Sequence, residues 1–168
     1  MKTMHKRLIS GLAAAVLAGV YTQTAVAADV SGTATANVLA PLTITQKYAM
    51  DFGDVAGDTA SATTVVLTTA GATSSADGAF TGGSPTAGEF DVTGGDSLAY
   101  NITLPASTTL TSGGDSMTVD NFNHDAGGAP ALDGSGKHTF KVGATLNLGA
   151  GQAAGVYNGT YTVTVEYQ

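Results

Sequence analysis

Gly155-Val-Tyr-Asn-Gly-Thr-Tyr-Thr-Val-Thr-Val-Glu-Tyr-Gln168 is the stretch whose reading decides the fold. Tyr157, Gly159, Tyr161, Val163, Val165 and Tyr167 share one parity, and Asn158, Thr160, Thr162, Thr164, Glu166 and Gln168 the other. A period of two kept over this length, and built from β-branched and aromatic residues, predicts one half-buried β-strand with an apolar face and a wet face. Tyr157, Tyr161, Val163, Val165 and Tyr167 are therefore expected to face a core. Both edges of such a strand need hydrogen-bonding partners.

A second alternating stretch lies at the other end. In Val30-Ser-Gly-Thr-Ala-Thr-Ala-Asn-Val38, Val30, Gly32, Ala34, Ala36 and Val38 fall on one parity, with Ser31, Thr33, Thr35 and Asn37 between them. This predicts a strand lined by unusually small residues, suited to sliding into a narrow groove. The parity continues through Ala40, Leu42 and Ile44, but Pro41 cannot donate to a ladder, so a break or bulge is expected there.

Between these ends the same signature recurs. Met50-Asp-Phe-Gly-Asp-Val-Ala-Gly57 reads as a short apolar staple and turn, and Thr63-Thr-Val-Val-Leu-Thr-Thr69 as a strand. Residues 71–88, rich in Gly, Ser, Thr, Ala and Asp, read as a loop or a loosely held hairpin. Phe90 and Val92 mark a strand, as do Leu98, Tyr100, Ile102 and Leu104, then Met117 and Val119, and finally Phe140, Val142, Ala144, Leu146 and Leu148. Nothing beyond residue 28 repeats at helical spacing. The expectation is all-β: an immunoglobulin-like β-sandwich of about seven strands.

Composition narrows the function. Lys2, His5, Lys6 and Arg7 precede an apolar run over residues 8–20 and a small-residue site, Ala25-Val26-Ala27. This reads as a secretory signal peptide over residues 1–28, its apolar run too short for the roughly 20 residues of a spanning helix. Removing it takes three of the six basic residues and none of the thirteen acidic ones, leaving a net charge of −10. So acidic a surface repels nucleic acid, which is excluded as a partner. There is no cysteine, hence no disulfide staple. The division expected is a signal peptide over 1–28, an N-terminal segment over 29–46, and a β-sandwich over 47–168.

No constellation of residues suggests catalysis or a cofactor. His124 and His138 lack a cysteine or second histidine at ligand spacing and are assigned to the solvated surface. Asp115, Asp120, Asn121, Asn123, Asp125 and Asp133 crowd one region, but Ala126 and Leu132 stand where a calcium loop needs glycine and glutamate. Turn formation explains these Asx residues better. No metal, no cofactor and no enzymatic activity are expected.

The two end strands, with the Met50-Asp-Phe-Gly53 element and the penultimate Tyr167, resemble bacterial chaperone–usher pilins, especially the archaic class, and the related spore-coat-U proteins. In overall pattern the chain is closer still to a family of secreted β-domains, domain of unknown function 4402. Thr33-Ala-Thr-Ala-Asn-Val-Leu-Ala-Pro-Leu-Thr-Ile-Thr45, Met117-Thr-Val-Asp-Asn-Phe122 and Gly143-Ala-Thr-Leu-Asn-Leu-Gly-Ala150 carry that similarity. One departure is Ala40-Pro41, where archaic pilins carry a cysteine. The resemblance implies a secreted or cell-surface structural subunit of a fimbrium. Its N-terminal residues Val30, Gly32, Ala34, Ala36 and Val38 would complete a neighbouring copy by strand addition. It implies as partners the chain itself or related pilin-like subunits, with a periplasmic chaperone and an outer-membrane usher. The alternative is a self-complemented monomer acting as a surface or matrix binding and adhesion module.

Overall fold

A computed structural model describes residues 26–75 and 77–168. The signal peptide expected over 1–28 lies, apart from its last three residues, outside the described residues. The chain forms two units, one up to Ala36 and one from Asn37 to Gln168.

The first unit's described residues, 26–36, hold no strand and are exposed throughout, Val30 at 97 %. The alternation over 30–38 forms no strand within the described chain. Glycine and alanine bury too little apolar surface to offset the ordering of the backbone without a partner ladder.

The second unit contains eleven strands and, among the described residues, no helix. They are β1 (Thr43–Tyr48), β2 (Asp54–Ala56), β3 (Thr63–Leu67), β4 (Thr73–Ser74), β5 (Phe80–Gly82), β6 (Gly88–Thr93), β7 (Tyr100–Thr103), β8 (Ser107–Ser112), β9 (Asp115–His124), β10 (Lys137–Leu148) and β11 (Thr164–Tyr167). The fold is all-β and sandwich-like. Residues 43–46, grouped with the N-terminal segment on sequence, belong to β1 and hence to this unit.

β10 is the longest strand, because its alternation of Phe140, Val142, Ala144, Leu146 and Leu148 is unbroken and every one of these side chains is buried. Its first half pairs with β6, Lys137 to Val142 opposite Thr93 to Gly88. Its second half pairs with β3, and residues 142–147 also pair with β9. β1 extends this sheet beyond β6, β4 beyond β3, and β8 beyond β9. All pairings are antiparallel. Two further two-stranded sheets form, β11 with β7 and β2 with β5.

Two apolar clusters share β10. One joins Phe90, Val92, Phe140 and Val142 of the large sheet to Tyr100 of β7 and Leu132 of the loop between β9 and β10. The other gathers Phe52, Val65, Leu67, Met117, Val119, Ala144, Leu146 and Leu148. Gly143 marks the changeover, at a bulge in the β9–β10 ladder. A Cβ there would overlap the Leu67 carbonyl oxygen and stand 3.0 Å from the backbone of Thr68 and Thr69. Only glycine lets β3 come so close.

The C-terminal stretch is shorter as a strand than its alternation predicts. Only Thr164–Tyr167 pairs, running from Thr164 opposite Thr103 to Tyr167 opposite Tyr100. The ladder stops where β7 reaches Leu104 and Pro105, because proline has no N–H to offer. Upstream, the chain crosses β8 instead. Asn158 and Thr111 bond through both backbone groups, and the Thr108 hydroxyl donates to the Thr160 carbonyl at 2.6 Å.

Gly143→Ala is expected to lower stability by about 1–3 kcal/mol, the range for forcing atoms into a packed site. Gly114→Ala, whose Cβ would meet open space, should leave the melting temperature unchanged. Thermal unfolding of the two variants checks this.

Candidate functional site

The side chains singled out in the C-terminal stretch line one side of the second unit. Tyr157, Tyr161, Val163, Val165 and Tyr167 are half-buried, and the residues between them are exposed. Tyr161, Val163, Val165 and Tyr167 pack on the β6–β10 cluster together with Leu42 and Ile44 of the β1 region. Tyr157 packs on the other cluster. The β1 region and the C-terminal stretch thus face each other across the apolar interior.

Tyr167 fixes one end of this arrangement. Its hydroxyl accepts from the Gly95 N–H at 2.6 Å and donates to the Ala40 carbonyl at 2.9 Å. This ties the start of the unit to its last strand. At the other end, Met50 to Val55 and Gly155 to Tyr161 line a cavity of about 500 Å³, whose apolar wall includes Leu110, Met117, Val119, Phe122 and Leu146. The two flanking segments run in opposite directions, from Ala40 toward Val55 and from Tyr167 back toward Gly155.

Among the described residues, β1 pairs with β6 alone and β11 with β7 alone, so each keeps one unpaired edge. The cleft formed by this cavity is lined by residues of neither strand but by the segments that follow β1 and precede β11, Met50 to Val55 and Gly155 to Tyr161. Of the donor-like residues, Val30, Gly32, Ala34 and Ala36 lie in the exposed first unit, and Val38, 90 % exposed, lies just before Ala40.

Two tyrosines stiffen the cleft's base. Tyr100 is fully buried in β7, with its hydroxyl 2.6 Å from His138 Nδ1. The Tyr161 hydroxyl is buried against Gly88 without a hydrogen-bond partner. Burial pushes both phenols up to about 12.

The histidines correct their assignment to the solvated surface. His138 is half-buried on Tyr100, and His124 packs edge-on against Phe140 with Nδ1 buried. The alternating parity of β10 and β9 was the signal for this: His138 and Phe140 share one face of β10, and Phe122 and His124 one face of β9. The clustered Asx residues build turns. Asp133 accepts from the Ser135 and Lys137 N–H groups, which holds its carboxyl below the usual range, and Asp125 accepts from the Lys141 N–H. Among the described residues, no three His, Asp or Glu side chains converge as a metal site would require.

A family model described as domain of unknown function (DUF4402) matches residues 42–167. The chain belongs to this family. The match starts at Leu42 and runs to Tyr167, so it spans all the strands from β1 to β11. No curated protein and no solved structure matches the chain.

Val163→Asp is expected to destabilise the fold by several kcal/mol through an uncompensated charge against the apolar cluster. Thr162→Asp, on the exposed parity, should change stability by less than about 0.5 kcal/mol. Urea unfolding of both separates the faces. Tyr100 and Tyr161 supply a pH test. Their raised values mean that the folded state holds protons the unfolded state releases near 10. Their stabilising effect is full below pH 10 and disappears as pH climbs toward about 12. Tyrosinate absorbance and circular dichroism should therefore change together in that window.

Proposed function

We propose that this DUF4402 chain is a structural subunit of a cell-surface fibre, completed by the N-terminal segment of a neighbouring copy. Supporting this reading are the unpaired edges of β1 and β11, the apolar-walled cavity between residues 50–55 and 155–161, and an exposed segment of alternating small residues. An added strand would hydrogen-bond along β1 and β11 and lay Val30, Gly32, Ala34, Ala36 and Val38 toward the apolar wall.

Direction decides what such pairing builds. A segment entering antiparallel to β11 places Val38 at the cavity end, so its own domain continues from there. The acceptor's segment leaves from Ala40 at the Tyr167 end. Each copy then joins its cavity end to its neighbour's Tyr167 end, a head-to-tail contact that does not close and propagates as a fibre. A segment parallel to β11 instead closes on its own domain or exchanges reciprocally with one partner. Until the cleft is filled its edges are an aggregation hazard, so export calls for a capping partner, a periplasmic chaperone and an outer-membrane usher in the pilin manner. A signal peptide and a secreted or cell-surface location belong to the same reading.

The intact chain should form multimers that heat in detergent breaks down. Removing residues 29–38 should abolish them, and a synthetic peptide of the removed stretch should restore a soluble monomer. Replacing Ala34 and Ala36 together with phenylalanine should block assembly, since rings overfill a slot shaped for methyl groups. Monomers of the intact chain at every concentration would overturn assembly between copies and favour the self-complemented binding module.

A further inference from the structure

Away from the cleft, two of the three lysines beyond residue 28 converge on one carboxylate. Glu89 of β6 is only 8 % exposed, with Lys47 Nζ 2.7 Å from one carboxylate oxygen and Lys141 Nζ 3.7 Å from the other. Lys141 is the cross-strand neighbour of Glu89 on β10. Lys47 arrives by a different route. The β1–β6 register passes from Gln46 opposite Phe90 to Tyr48 opposite Glu89, which leaves Lys47 as the extra residue of a bulge. Bulges re-aim side chains, and this one brings Lys47 and Tyr48 to the same carboxylate.

Tyr48, 53 % exposed, with the Lys47 ammonium 5.6 Å from its ring centre, stands at a cavity of about 370 Å³. Glu89 and Lys141 reach this cavity from the sheet, and Thr69 and Thr86 line it from the adjoining loops. The volume lies within the roughly 300–1,000 Å³ of small-ligand sites. It shares no lining residue with the cleft.

We propose that this second cavity binds a neutral pyranose unit of a glycan. An aromatic ring offers a face to the C–H side of a sugar. Beside it, a carboxylate, an ammonium and two threonines supply the acceptors and donors that ring hydroxyls require. The two charged residues that line the cavity, Glu89 and Lys141, are of opposite sign, while the −10 of the chain beyond residue 28 repels anions. A neutral, hydroxyl-rich ligand is what this combination selects.

The test is isothermal titration calorimetry of the secreted chain with maltotriose, cellotriose and chitotriose, with trigalacturonate as the anionic comparison. At least one neutral trisaccharide should bind. Tyr48→Ala and Lys141→Gln should each weaken it by about tenfold or more, equivalent to about 1.4 kcal/mol. Tyr48→Phe, which keeps the ring, should bind as the parent does. Melting temperatures of all three variants report folding, and Tyr48 lies on an exposed strand edge where truncation is tolerated. Three results would overturn the proposal: no heat with any neutral trisaccharide, binding that Tyr48→Ala leaves intact, or binding confined to trigalacturonate. None of them decides the multimer experiment, which reads backbone pairing at the free edge of β1 rather than the Tyr48, Glu89 and Lys141 side chains.

Discussion

The structure depends on one strand serving three neighbours. β10 is long enough for β6 to hold its first half and β3 and β9 its second, and the two apolar clusters are successive stretches of the same alternation. Gly143 makes that sharing geometrically feasible, by letting the backbone at the β3 end approach where any side chain would collide. With the centre fixed in this way, β1 and β11 are left at the margins. The unpaired edge of β1 follows from that distribution, since β6 lies between it and β10.

How much of this was legible in the sequence follows from what each strand packs against. β10 announces itself, because both its halves face apolar clusters and the period of two never lapses. β3, β6 and the first half of β9 are nearly as plain. β8 was missed, since its half-buried face is Thr108, Leu110 and Ser112, and a single apolar residue makes no period. Its signal was indirect: Gly113, in a left-handed conformation, and Gly114 close the hairpin with β9. β2, β4 and β5, at two or three residues each, are too short to establish any period. The C-terminal stretch shows the reverse error. Alternation records burial, and burial does alternate from Tyr161 to Tyr167, but pairing also requires a partner strand, which Pro105 ends. The cleft itself could not be read from sequence, because it lies between segments more than a hundred residues apart.

The charged cluster at Glu89 was invisible for a related reason. Lys47, Glu89 and Lys141 are far apart in sequence, and a bulge shifts Lys47 out of the register that simple alternation assigns to it. Parity arguments assume uninterrupted ladders. Where a ladder slips by one residue they place a side chain on the wrong face, and in this chain such a slip gathers the ion cluster.

The same physics explains why residues 30–38 alternate and yet form no strand within the described chain. Ordering each residue costs about 1–2 kcal/mol, while each intramolecular hydrogen bond contributes about 0.5–1.5 kcal/mol net. A strand bonded along one edge, with methyl groups or hydrogens on its inner face, cannot offset that ordering. A strand bonded along both edges, with valines at its ends against an apolar wall, gains roughly twice the hydrogen bonds and the burial of the larger side chains. The segment's small central residues limit what single-edge pairing could achieve, so its alternation goes unused within the described chain.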